Sequence, residues 1–176
     1  GMDGLEPSIV DLLMSEGKLP HFAKLRQDGA YGRLLSSKPL LSPVVWTTIA
    51  TGKTPDQHRI GHFVAVNEQT GEQLPVTSRM RRAKALWNIL SDAGKSVAVV
   101  GWWATWPAEA IQGTMVSDRV AYSLFTAGGG PELKGAVYPD SYGETVGRLQ
   151  VPAEAITAAD LGEFVDVPAA EIDAAR

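Results

Sequence analysis

The sequence predicts an α/β fold, a sheet with crossover helices packed on it, and three neighbouring stretches carry that prediction. Ala83 to Gly94 has Leu86, Trp87, Ile89 and Leu90 on one side of a helical repeat. Directly after it, Ser96 to Gly101 reads Ser-Val-Ala-Val-Val-Gly, a short apolar run of the kind found in a strand buried on both faces. Thr114-Met115-Val116-Ser117 is a second such run. Helix followed by strand, with β-branched residues in the strands, favours a sheet built through crossover connections.

The other elements follow in order along the chain. Gly1 to Pro7 is a turn, and the pattern Ile9, Leu12, Leu13 predicts a short amphipathic helix from Ser8 that ends at Gly17. Pro20 opens a second helix, with Phe22, Ala23 and Leu25 on its apolar side and Gly29 as its stop. Ala30 to Ser37 has the composition of a strand leading into a loop at Lys38-Pro39. From Ser42 to Gly52 the expected element is a helix, with Ser42 as N-cap, Pro43 at the first helical position and Gly52 as the C-terminal stop. Its several β-branched residues oppose that reading. Asn67 to Gly71 suits a hairpin tip, Gly128 to Pro131 a loop, and Pro139 to Leu149 a helix.

The chain has 176 residues, 44% hydrophobic and 20% charged, with a formal net charge of -4. That length and composition suit one globular domain, or a piece of a larger one. A mild negative charge gives no general attraction for a nucleic-acid polymer or an anionic membrane. The basic cluster Arg79, Arg81, Arg82 and Lys84 reads as a solvated entry to the following helix. No run approaches the roughly 18 apolar residues of a membrane span, and no signal peptide is visible. With no cysteine in the chain, disulfides and thiol catalysis are excluded. Any metal must be held by oxygen and imidazole ligands.

Ser42 is the candidate for chemistry. A hydroxyl at a helix start lies where free N–H groups and the positive end of the helix dipole converge, a place that also binds phosphate oxygens. A divalent cation there lowers the proton affinity of the hydroxyl and makes it a nucleophile. The competing reading is a plain N-cap, contributing about 1 kcal/mol. Asp3 has two readings as well: an Asp-Gly turn residue bonded to its own backbone, or a carboxylate at a sheet's ligand-collecting end that shares a metal with Ser42. Trp102, Trp103 and Trp106 either line a pocket or, the favoured reading, pack a strand-end loop. Asp118-Arg119 reads as a strand-end salt bridge or turn. His21 is expected at the surface and His58 in a structural role.

Four segments then occur in a fixed order: Gly-Met-Asp-Gly-Leu-Glu-Pro, Gly-Lys-Leu-Pro-His-Phe-Ala-Lys-Leu, Leu-Ser-Pro-Val-Val-Trp-Thr-Thr-Ile-Ala-Thr-Gly and Thr-Pro-Asp-Gln-His-Arg-Ile-Gly-His-Phe. Together with Val99 to Pro107 and Met115 to Arg119, over about the first 120 residues, they resemble the start of the type I phosphodiesterase/nucleotide pyrophosphatase family of the alkaline phosphatase superfamily. The resemblance implies an alkaline-phosphatase-like, mostly parallel sheet flanked by helices, incomplete for want of its first strand and its C-terminal half. It implies an N-terminal part of that domain at residues 1–125, with 126–176 continuing it or starting a cap insertion.

For function, the resemblance implies hydrolysis of small-molecule phosphate mono- or diesters through a covalent seryl intermediate in the full-length protein. Ser42 holds the nucleophile position and Asp3 a metal-ligand position. The implied cofactors are two divalent ions, zinc or else manganese or magnesium, with Ser42 also a ligand. A phosphotransferase or phosphomutase of the superfamily, and a non-catalytic scaffold domain, are the alternatives. Three departures qualify the match. Arg59 replaces a family glycine, the phosphate-binding Asn expected near His62-Phe63 is missing, and the later Asp and His ligands, including an Asp-His-Gly segment, do not occur. The chain alone is therefore expected to be an inactive piece of a longer soluble protein, cytoplasmic or periplasmic.

Overall fold

The computed structural model describes residues 1–36, 38–122, 133–152, 155–163 and 168. The loop expected at Gly128–Pro131, and the 125/126 division of the chain, lie outside the described residues.

Helices α1 (Pro7–Ser15) and α2 (Pro20–Asp28) both carry proline in their first turn. Glu6 accepts the Ser8 N–H at 3.0 Å ahead of α1, and Gly17 turns the chain at φ 72°. Arg26 Nη1 reaches Asp11 Oδ1 at 2.7 Å and ties the pair together. Neither helix holds a buried residue; Ile9, Leu12 and Leu25 stay exposed. Residues 30–36 then run without regular structure. The strand predicted at Ala30–Ser37 is not formed: Leu34 and Leu35 are 92% and 97% exposed. A strand needs a neighbour for its ladder bonds, and none of the described strands pairs with this stretch.

Helix α3 (Ser42–Thr51) forms despite its β-branched residues because one face is well buried. Pro43, Val44, Thr47, Ala50 and Thr51 fall at helical spacing on that face. The threonine hydroxyls bond back up the helix, Thr48 Oγ1 to Val44 O at 3.0 Å and Thr51 Oγ1 to Thr47 O at 2.7 Å. That satisfies them without breaking the ladder. Gly52 ends α3 at φ 63°, and its N–H bonds Thr48 O at 2.8 Å. This left-handed position is one that glycine fills at little cost.

After the single turn α4 (Pro55–His58), strands β1 (Val64–Val66) and β2 (Gln73–Pro75) form an antiparallel hairpin. Its tip is where the sequence put it, with Asn67 Oδ1 accepting the Gln69 N–H at 2.9 Å. Helix α5 covers Leu86–Asp92, shorter than the predicted Ala83–Gly94, and buries Trp87 while Leu86 and Ile89 stay half exposed.

The main sheet has the order β3 (Val97–Val100), β4 (Gly113–Val116), β5 (Val137–Tyr138). β3 and β4 are parallel with Val97 opposite Gly113; β5 runs antiparallel to β4 with Val116 opposite Val137. The α/β class stands, as a small mixed sheet with several helices. β3 is not buried on both faces as predicted: Val99 is buried, but Ala98 and Val100 are exposed. Among the described strands it lies at the edge of the sheet, and nothing among the described residues covers its second face.

The core joins α3, α5 and the sheet through Ala50, Ala85, Trp87, Val99, Ile111 and Met115. A second cluster of Val120, Ala136 and Val137, with Trp106, Val116, Leu133 and Val146 against it, seats α6 (Arg119–Tyr122) and α7 (Gly143–Leu149). The helix predicted at Pro139–Leu149 divides into a 3-10 turn at Asp140–Tyr142 and α7, and a short α8 (Ala158–Gly162) follows.

Candidate functional site

Ser42 stands at the entrance of α3, one position further in than its predicted role. Leu41 is the N-cap residue, in extended geometry, and no side chain caps this helix end. The Ser42 hydroxyl is therefore not spent on the backbone. It donates to Asp3 Oδ2 at 3.2 Å, across 39 residues of sequence, and both side chains are open to solvent.

Asp3 is brought there by the turn at Gly4, at φ 67°, and by Gly1 lying against the Trp46 ring one helical turn beyond Ser42. A Cβ on Gly1 would come within 2.3 Å of the Trp46 ring atom Cη2, so the approach needs a residue without a side chain. Asp3 thus meets the Ser42 side chain directly. Chemically the pair offers a hydroxyl at the positive end of a helix and a carboxylate that accepts its proton in a hydrogen bond.

The tryptophans pack against neighbouring rings and side chains. Trp102 stands edge-on to Trp46, ring centroids 5.0 Å apart, and to Trp87 at 5.8 Å. Its indole N–H donates to Trp46 O at 3.1 Å, so the loop after β3 is fastened to the first half of α3. Trp103 meets Phe63 at 5.5 Å. Asp118 makes no salt bridge with Arg119. Its Oδ2 accepts the N–H of Ala104 at 2.9 Å, and Ala104 sits at φ 57°. Burial pushes the Asp118 carboxyl above its ordinary pKa, while the hydrogen bonds from Ala104 and Thr105 pull the other way. Arg119 lies over the Trp106 ring at 4.3 Å.

Of the imidazoles, His21 and His62 are exposed and His58 is fully buried. The N–H of Ile60 donates to His58 Nδ1 at 3.1 Å. The proton of the neutral ring is then on Nε2, which faces Thr48 Oγ1 at 3.1 Å. Burial holds the His58 pKa below its ordinary value, in keeping with a structural neutral ring.

One member of the basic cluster is not solvated as the sequence predicts. Arg81 is buried, its Nη2 bonded to both oxygens of Glu109 at 2.6 and 2.9 Å, and Glu109 also accepts the Trp87 indole N–H at 2.6 Å. No local pattern announces this pair, since Glu109 lies 28 residues beyond Arg81.

Asp3 and Ser42 are the right kind of donors for a divalent cation, two converging oxygens, but too few. Zinc sites take four ligands and magnesium or calcium sites six or more. Among the described residues no group of three or more His, Asp or Glu side chains could hold a metal. No helix of the described residues is long and apolar enough to cross a membrane.

A family model described as type I phosphodiesterase / nucleotide pyrophosphatase matches residues 1–159 of the 176. No curated protein and no solved structure matches the chain.

Proposed function

Because the chain belongs to the type I phosphodiesterase/nucleotide pyrophosphatase family, we propose that it carries the nucleophile of a phosphoester hydrolase and that this nucleophile is Ser42. The observation that supports the reading best is the 3.2 Å bond from the uncommitted Ser42 hydroxyl to Asp3. In this reading Ser42 Oγ forms a bond to phosphorus as the ester P–O bond breaks. The leaving oxygen carries away that electron pair. It takes up the proton that Ser42 gives up through Asp3 and departs as the alcohol, and water then hydrolyses the seryl phosphate. Asp3 holds the hydroxyl in the attacking orientation and receives its hydrogen bond. The N-terminal N–H groups of α3 face the phosphoryl oxygens and favour their charge.

Asp3 and Ser42 would supply two of the ligands of a divalent metal, whose Lewis acidity lowers the proton affinity of the serine. The further ligands must come from other residues, and with two oxygens present no step is assigned to the metal. The substrate is a small phosphate mono- or diester. Release of p-nitrophenol from bis(p-nitrophenyl) phosphate and p-nitrophenyl phosphate by the protein, with divalent metal supplied, tests the reading. Loss of both activities in Ser42→Ala is expected, and retained activity would remove Ser42 from the mechanism.

A second reading, a scaffold domain without catalysis, is favoured by the shortage of metal ligands among the described residues. Burst labelling of Ser42 by the diester separates the two, since a scaffold acquires no phosphoryl group.

A further inference from the structure

At the far end of α3 from Ser42, about 15 Å away for a ten-residue helix, lies a groove of about 410 Å³ lined by Thr51, Lys53, Gln57, Arg82, Lys84 and Ile89, with Ala83 beside them. We propose that this groove is a binding site for a phosphate-bearing small anion, separate from Ser42 and independent of its chemistry.

The charge is the first reason. The chain as a whole is acidic, with a net charge of -4, yet three cations and no carboxylate line this groove. Lys84 is met by Asp92 from outside it. Lys53 and Arg82 have no carboxylate partner among the described residues. The C-terminal end of α3 places about half a negative charge nearby, which two uncompensated cations outweigh. Two cations facing one space suit a dianion better than a single carboxylate, and a guanidinium fork matches phosphate geometry.

The walls are the second reason, because they are fixed by backbone. The Arg82 N–H donates to His58 O at 3.0 Å, and His58 is itself fully buried. The Lys53 N–H donates to Thr51 Oγ1 at 3.2 Å, and that hydroxyl is anchored on Thr47 O. The cations thus spring from ordered positions on either side of the groove, with the apolar surfaces of Ala83 and Ile89 as its lining. A volume near 410 Å³ falls within the usual range for small-molecule sites, about 300 to 1,000 Å³.

Titration of the ¹⁵N-labelled chain with inorganic phosphate, with acetate at matched ionic strength as the control, tests this directly. Saturable amide shifts are expected at residues 51–57 and 82–89, with a dissociation constant of about 1 mM, typical of a few charge-assisted hydrogen bonds. Lys53→Gln combined with Arg82→Gln should weaken them about tenfold and leave the remaining spectrum unchanged. Shifts that acetate reproduces, that the double variant keeps, or that never saturate would overturn the site. Any response at Asp3 and Ser42 reports on the nucleophile reading alone, so the two stand or fall separately.

Discussion

Moving the start of α3 by one residue changes what the Ser42 hydroxyl is for. A capping serine loses about 1 kcal/mol on replacement by alanine, whereas a hydroxyl bonded only to an exposed carboxylate contributes little. Ser42→Ala is therefore expected to shift stability by less than about 0.5 kcal/mol in urea denaturation, while removing phosphoester hydrolysis. A loss near the capping value would show that the hydroxyl serves the helix instead. His58 carries a second prediction at this scale. Its folded-state pKa lies below the ordinary 6.5, so as pH falls the unfolded chain takes up the proton first. Stability is then full above about pH 6.5 and declines below it. Urea midpoints measured from pH 8 to pH 5 should show that decline, and His58→Gln should flatten it. The local patterns, an Asp-Gly turn and a Ser-Pro helix start, are common ones with bland readings of their own. Only the family resemblance singled out Asp3 and Ser42, and their 3.2 Å contact needed the fold to be seen. The burial of Arg81 was not legible either, since its partner Glu109 lies 28 residues further on and no local pattern announces it.

Punctuation residues made the helices readable: Pro20, Gly29 and Gly52 each bound an element where the sequence put the boundary. Strand pairing is a different matter, because a strand is specified by its neighbour. The stretch 30–36 has strand composition and no ladder, and β3 has the apolar run of a two-sided strand but covers only one face. Register within the sheet rests on one glycine. Gly113 faces Val97 at φ 141°, and a Cβ there would stand 1.9 Å from Val97 O. Gly113→Ala must move the β3–β4 pair apart, and a loss of about 3 kcal/mol or more is expected. A smaller loss by urea denaturation would mean that the pairing slips at little cost. The buried Arg81–Glu109 pair is the matching test for α5. Glu109→Ala leaves Arg81, whose side chain is 6% exposed, without its carboxylate partner, and about 3 kcal/mol should be lost. Replacing both residues by apolar ones should recover much of it.

Across the whole molecule, the apolar surface is divided unevenly. The core between α3, α5 and the sheet is closed, yet Leu34, Leu35, Ile9, Leu12 and Leu25 are exposed on the N-terminal part, and Val100 is 75% exposed on β3. β3 pairs with β4 alone among the described strands, so its outer row of N–H and C=O groups lies outside the described ladder. Unpaired strand edges beside exposed apolar side chains promote pairing between chains, and a net charge of -4 over 176 residues opposes it only weakly. The 176-residue chain in isolation should therefore self-associate as its concentration rises, seen as a growing weight-average mass in sedimentation. The charge term sharpens the test: higher salt screens the repulsion and should raise the mass further at a fixed concentration. Leu35→Lys together with Val100→Lys places a charge on each exposed surface without touching the closed core, and should return the chain toward monomer with its circular dichroism unchanged. A monomeric wild-type chain over the whole concentration range would show that these surfaces are covered within one chain.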